Sequence, residues 1–175
     1  LEEILKQFLG AKKVVWLPLG VVGDEDTDGH CDNIAAFVNP HTVVLTWPED
    51  ADHPQRSSSE QAMKVLKDAG LEVVKVPHPT GRAMVINAED VEGLAGGGNE
   101  RCVDTVMAGS YINFFIANGG VVMARFGCPE DEAAKQIMQQ CFPERKVVSV
   151  ETRDILLGGG NIHCITQQQP RLSSS

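Results

Sequence analysis

Clustered basic residues are what this 175-residue sequence most plainly lacks: 15 Lys and Arg stand against 24 Asp and Glu, for a formal net charge of −9. A groove for a phosphate backbone needs grouped Lys and Arg, so nucleic-acid binding has no electrostatic support, and an anionic membrane surface has none either. Long apolar runs are missing too, and no stretch approaches the ~20 residues of a membrane-spanning helix. Leu1 to Lys13 lacks the signal-peptide order of charge, apolar run and small-residue cleavage site. The five cysteines are an odd number, widely spaced and without a Cys-x-x-Cys, which reads as neither a disulfide framework nor a zinc site. These absences point to one soluble domain in a reducing, cytoplasmic compartment. With 42% hydrophobic residues the chain can bury a sizeable core.

An opening methionine is also missing. Leu1, Ile4, Leu5, Phe8 and Leu9 already fall at helical spacing, so the sequence reads as a piece of something longer. The tail 173–175 is polar and expected to be disordered, leaving 1–172 as the ordered domain.

What is there is a repeated order of elements. Lys13 to Leu19 is a short apolar run rich in β-branched residues, expected as a buried strand. After an acidic loop, two strands, Ile34 to Val38 and Thr42 to Trp47, flank a turn at Asn39-Pro40. A helix capped at Ser57 or Ser58 runs to Ala69 and stops at Gly70, with Ala62, Val65, Leu66 and Ala69 on one face. Leu71 to Val76 is a further strand. The segment 37–45 (FVNPHTVVL) then aligns without gaps on 115–123 (FIANGGVVM). The second hairpin has Asn-Gly-Gly at its turn, chemistry suited to positive φ. A helix from Glu130 to Cys141 and a strand from Lys146 to Val150 follow. The chain thus holds two hairpin–helix–strand units about 78 residues apart. Repeated units of this kind bury their apolar faces against neighbours, so further copies are expected on a missing segment or a partner chain. The linker Thr80 to Glu100, rich in Gly and acid, reads as a surface excursion.

Two segments could carry chemistry. In the first, Gly158, Gly159 and Gly160 let backbone approach a ligand closely, and Cys164 follows four residues later. A thiolate is a strong nucleophile once its proton is removed. The same segment also suits a buried Cys on a strand after a flexible turn. The second is the acidic loop Gly23 to Asn33, with five carboxylates and His30. Asp24, Asp26, Asp28 and Gly29 match the start of a calcium-binding EF-hand loop, but Ala35 stands where its closing Glu belongs, and the flanks read as strands. Asp24 and Glu25 read as a solvated turn. His30 and Asp32, two apart, face the same side on an extended chain. His30 could be held there as a general acid/base, and Asp32 could grip a planar guanidinium by paired hydrogen bonds. A metal reading through His30, Asp32, His163 and Cys164 is weakened because adjacent His163 and Cys164 point to opposite faces of a strand. Trp16 and Trp47 read as core. Cys102, Cys128 and Cys141 read as structural or incidental.

Together these segments resemble agmatine deiminase, of the guanidine-modifying pentein superfamily. The resemblance rests on 23–33 (GDEDTDGHCDN), 110–120 (SYINFFIANGG) and 158–168 (GGGNIHCITQQ) and runs from near Lys13 to Pro170. It implies an α/β fold, the pentein, an α/β propeller of ββαβ units closed as a five-unit fan around the active site. This chain would be its C-terminal half, with about two complete units plus the Cys-bearing segment. The resemblance makes Cys164 the nucleophile, His30 the acid/base and Asp32 the guanidinium holder, with substrate contacts at Asp26, Gly158, Gly159 and Gly160. The implied reaction converts agmatine and water to N-carbamoylputrescine and ammonia, in putrescine (polyamine) biosynthesis, with no metal and no organic cofactor. The implied partners are the guanidine substrate and either a second copy of the chain or a complementary N-terminal half. A deiminase acting on peptidyl-arginine and a non-catalytic half-pentein are the alternatives. The chain departs from the family at Val106-Met107, where Arg-Leu is usual, at Cys31, where an aliphatic residue is expected, and in the 80–100 linker. The family's second guanidinium-binding Asp would lie in the absent half, so the isolated chain is expected to be weakly active or inactive.

Overall fold

A computed structural model describes residues 1–92 and 101–169. The tail and residues 93–100 of the linker, named above, lie outside the described residues. Helix α1 (Glu2–Leu9) forms where the helical spacing predicts it, yet none of its residues is buried: Phe8 is 76% exposed. The run from Lys13 to Leu19 corrects the strand expectation. It joins no ladder among the described residues, and Trp16 is 54% exposed rather than core. Apolar, β-branched composition marks a segment that wants a partner, and a strand exists only when a neighbour completes its hydrogen bonds.

The two repeats are real and nearly superimposable in plan. In the first, β1 (Ala35–Asn39) pairs antiparallel with β2 (Thr42–Trp47), α2 (Gln55–Asp68) crosses over, and β3 (Glu72–Pro77) returns parallel to β2. In the second, β4 (Phe115–Ile116) pairs antiparallel with β5 (Gly120–Arg125), α4 (Asp131–Cys141) crosses over, and β6 (Lys146–Glu151) returns parallel. The registers correspond: Thr42 faces Glu72 as Gly120 faces Lys146. Helix α2 begins at Gln55, two residues before the expected serine cap, because Ser58 is used otherwise: its Oγ donates to the Gly20 carbonyl at 2.7 Å. The Asn-Gly-Gly turn does not use left-handed backbone; neither Gly119 nor Gly120 has positive φ.

Strand β2 is buried along its whole length, its apolar Val43, Val44, Leu45 and Trp47 accompanied by the buried threonines Thr42 and Thr46. Val43, Leu45 and Trp47 pack under α2 against Ala62 and Leu66. On its other face Val44, with Val76 of β3, joins a second and larger core containing Tyr111, Val121, Met123 and Met138. The two units therefore share the larger of the two cores.

The linker is not a simple surface excursion over its described part. Met84 and Ile86 are buried in the larger core, Val85 bridges to Val106, and α3 (Ala88–Glu92) follows. Arg153 ties this segment down. Its Nε and Nη2 donate to the carbonyls of Ala83 and Val85, both at 2.9 Å, while Nη1 and Nη2 form a two-pronged pair with Asp90 at 2.5 and 2.7 Å. The Arg153 guanidinium holds the Asp90 carboxyl well below the usual carboxylate range, at about 2.

Candidate active site

The acidic loop is closed by its own first aspartate. Asp24 accepts from the Thr27 N–H at 3.1 Å, the Thr27 hydroxyl at 2.5 Å and the Asn33 amide at 3.4 Å. The solvated-turn reading fits exposed Glu25 but not Asp24. Beyond it the chain does not run extended. His30 has φ −52° and ψ 138°, and Cys31–Asn33 then forms a 3-10 turn. The alternation rule that put His30 and Asp32 on one face does not apply to a turn with three residues per revolution. The exposed His30 ring makes no hydrogen bond among the described residues, Asn33 is buried, and Asp32 is directed at the C-terminal segment.

That segment leaves β6 through the short helix α5 (Arg153–Leu157) and enters the three glycines. Gly159 has φ +91°, and a Cβ there would stand 3.0 Å from Asp26 Cγ and 3.2 Å from Arg101 Nη2. A Cβ on Gly160 would stand 3.1 Å from the Cβ of Cys164. Side chains at either position would force these groups apart. Residues 161–166 then form turns, closed by Ile165 N–H to the Asn161 carbonyl at 3.2 Å and Thr166 N–H to the His163 carbonyl at 3.1 Å. This corrects the strand reading of His163 and Cys164. On a turn, adjacent side chains can reach the same group.

They do. Asp32 Oδ2 lies 2.7 Å from His163 Nδ1 and 3.6 Å from Cys164 Sγ, bringing together residues more than a hundred positions apart. Cys164 is exposed rather than buried in a core. Asn113 completes the cluster. Its Nδ2 donates to Cys164 Sγ at 3.3 Å and to Asn33 Oδ1 at 3.1 Å, while its Oδ1 accepts the His163 N–H at 2.9 Å and the Cys164 N–H at 3.4 Å. The segment bearing Asn113 is fixed by Tyr111, whose hydroxyl donates to Asp131 at 2.6 Å at the start of α4. Burial, with Asp131 beside it, pushes the Tyr111 hydroxyl up, so it stays a donor. One atom is left over: Asp32 Oδ1 is buried and has no hydrogen-bond partner. An orphaned carboxylate oxygen costs free energy unless a ligand donor meets it.

Asp26 is occupied differently. Its Oδ2 accepts from Arg101 Nη2 at 2.8 Å, and Arg101 Nε donates to the Leu157 carbonyl at 3.0 Å, so the pair staples the acidic loop to the glycine segment. Beside it lies a cavity of about 160 Å³ that includes Asp24, Asp26 and Arg101 and reaches Asn33 and Gly160, but not Asp32 or Cys164. Among the described residues no group of three His, Cys, Asp or Glu is arranged to hold a metal ion. Among them, too, no helix is long and apolar enough to cross a membrane.

Sequence reasoning reached Cys164 and Asp32 but missed His163, Asn113 and Arg101. Asn113 carried a signal: it is a lone amide in an apolar stretch, Ile112 to Ile116, where burial demands partners. Arg101 carried none, since nothing local links it to Asp26.

Known proteins resemble this chain in sequence and in fold. The chain is 44% identical to agmatine deiminase of Ectopseudomonas mendocina and 41% identical to that of Pseudomonas aeruginosa, in each case over 97% of this chain and 48% of the relative. The solved agmatine deiminase of Enterococcus faecalis superposes with a TM-score of 0.84 at 32% identity, over 97% of this chain and 48% of that one. A Campylobacter jejuni agmatine deiminase, at 23% identity and a TM-score of 0.76, shares the fold. The chain spans about half the length of the curated relatives it matches. The Porphyromonas-type peptidyl-arginine deiminase family matches residues 1–170; with nearly its whole length inside that match, the chain belongs to this family.

Proposed function

We propose that this chain is the nucleophile-bearing, C-terminal half of an agmatine deiminase, a pentein whose five-unit fan it completes with two ββαβ units. The observation that carries the reading is the meeting of Cys164 with Asp32, whose buried Oδ1 lacks a donor. A guanidinium offers a planar set of N–H donors that suits such an oxygen. Held by Asp32, its carbon is presented to the Cys164 thiolate. Attack forms a C–S bond, ammonia leaves with a proton from His30, and an amidino-thioether remains. Water that gives its proton to His30 then attacks the same carbon and expels the thiolate, yielding N-carbamoylputrescine. His30 is exposed and unengaged, free to turn toward substrate. Gly158, Gly159 and Gly160 line the approach. A substrate contact at Asp26 requires Arg101 to share that carboxylate.

The decisive experiment measures ammonia and ureido product from agmatine, using the chain alone and with the other half of a full-length relative, and Cys164→Ala as control. We expect turnover only with both halves and none in the alanine variant, a loss of at least about 10⁴-fold. Turnover retained by Cys164→Ala overturns the nucleophile. Brisk turnover by the chain alone overturns the need for a complementary half.

A further inference from the structure

We propose that His163 is a positioning residue that occupies one oxygen of Asp32, so that the carboxylate neither captures the Cys164 proton nor turns its other oxygen away from the ligand. The inference rests on the deiminase reading only for the identity of the nucleophile. Two donors compete for Asp32 Oδ2: His163 Nδ1 at 2.7 Å and the Cys164 thiol at 3.6 Å. An ionised carboxylate only accepts, so the imidazole donates from Nδ1, and at this distance the bond is charge-assisted and strong. The thiol contact is a full 0.9 Å longer and weaker. With the imidazole in place, Oδ2 is engaged, and the thiol's other acceptor, Asn113 Oδ1 at 3.6 Å, is a neutral amide oxygen already taken by two N–H groups. Without it, Oδ2 has one donor left, the thiol, and the hydrogen bond that then tightens keeps the proton on sulfur. Thiol rather than thiolate is the unreactive form. The same bond fixes the carboxylate plane and leaves Oδ1 buried and without a hydrogen-bond partner. His163 can do this because the turn at 161–166 places consecutive side chains on one carboxylate, and Asn113 anchors that turn through the N–H groups of both residues.

The test is the rate of iodoacetamide alkylation at Cys164 in the full 175-residue chain at neutral pH, read by peptide mass spectrometry to separate it from the other four cysteines. His163→Ala is expected to react about tenfold more slowly, the scale of one charge-assisted hydrogen bond. His163→Asn, which restores a donor near the Nδ1 position, returns the rate to within about twofold of wild type, whereas His163→Gln, whose amide reaches the Nε2 position, does not. In an Asp32→Asn background, His163→Ala has no further effect. Cys128, buried and with its thiol pushed up to about 12 by burial and Asp131, reports on folding by staying unmodified. If the alanine variant unfolds, the Asn and Gln pair carries the test. A wild-type or faster rate in folded His163→Ala, equal rates for Asn and Gln, or additivity with Asp32→Asn overturns the proposal. Agmatine protection of Cys164 is scored separately, with the other half of a full-length relative present: its absence there counts against the deiminase reading while leaving the histidine result to stand or fall alone.

Discussion

In the first ββαβ unit the residues leading into the hairpin, Cys31–Asn33, form a short turn whose Asp32 is half-exposed and keeps one oxygen unpaired. In the second unit the residues leading into the hairpin, 110–114, are buried throughout, and Asn113 has both side-chain polar atoms engaged. Both segments meet at Cys164. The segment before the hairpin differs between the copies: one carries a carboxylate with an unpartnered oxygen, the other a satisfied amide that holds the turn bearing Cys164. Functional groups tend toward strain and incomplete pairing, structural ones toward completion.

The comparison is broken most directly at these two residues. Asn113→Ala removes a donor from Asn33 Oδ1 in a buried setting and an acceptor from the part-buried N–H groups of His163 and Cys164. Urea denaturation is expected to show a loss of roughly 2–4 kcal/mol. Asp32→Ala leaves a half-exposed gap and removes an orphaned oxygen, so it is expected to cost less than about 1 kcal/mol while abolishing guanidinium binding. Equal destabilisation by the two variants would erase the distinction.

A second contrast lies at the ends of the returning strands. His78 N–H donates to the Trp47 carbonyl, and Thr152 N–H donates to the Arg125 carbonyl, each at 3.2 Å, so the two residues occupy equivalent positions. Both are buried, but only His78 titrates. Burial, then neighbouring His53, lowers it to about 4, and it pairs as a neutral ring with Thr46 Oγ1 at 3.1 Å. Between about pH 6.5 and 4 the unfolded chain binds a proton at this site that the folded chain refuses. Stability therefore stands intact above 6.5 and falls as the pH drops toward 4, by up to roughly 3 kcal/mol. His78→Thr, which copies the second unit, should shrink the acid-side loss between pH 7 and 4 by that amount in paired urea titrations. An unchanged acid-side loss would place the sensitivity elsewhere.

The hairpins, the crossover helices and their spacing were legible because turn chemistry and periodicity are local. So was the Gly-rich approach to Cys164. The run from Lys13 to Leu19 misled because its composition asks for a ladder that no described residue supplies. His163 was misread because a strand was assumed where Asn161 and His163 close turns, and that assumption sent neighbouring side chains to opposite faces. Arg101 and Asp26, 75 positions apart, meet only through the fold. What pattern reasoning cannot reach is contact order: pairs that no local rule links become visible only in three dimensions.

The smallest expected effect tests how the two hairpin turns differ. The first turns through Pro40-His41, with Asn39 Oδ1 accepting from the N–H groups of His41 and Thr42 at 2.9 Å each. The second turns through Asn118-Gly119, and Asn-Gly-Gly suggests that left-handed backbone is required. It is not used. A Cβ on Gly119 would meet nothing within 4 Å, so Gly119→Ala should be neutral or stabilise by up to about 1 kcal/mol, through loss of freedom in the unfolded chain. Gly120 is the position under constraint. A Cβ there would stand 3.0 Å from the Lys146 carbonyl, where β6 joins β5, so Gly120→Ala should cost about 1–2 kcal/mol. In the first unit Thr42 occupies the matching position and turns its hydroxyl to Glu72 at 3.1 Å, so that strand pair has accommodated a side chain that the second has not. Thermal melts of the two alanine variants should separate in this order. If Gly119→Ala is the more damaging, backbone freedom at the turn governs the second hairpin, and close approach of its parallel strands does not.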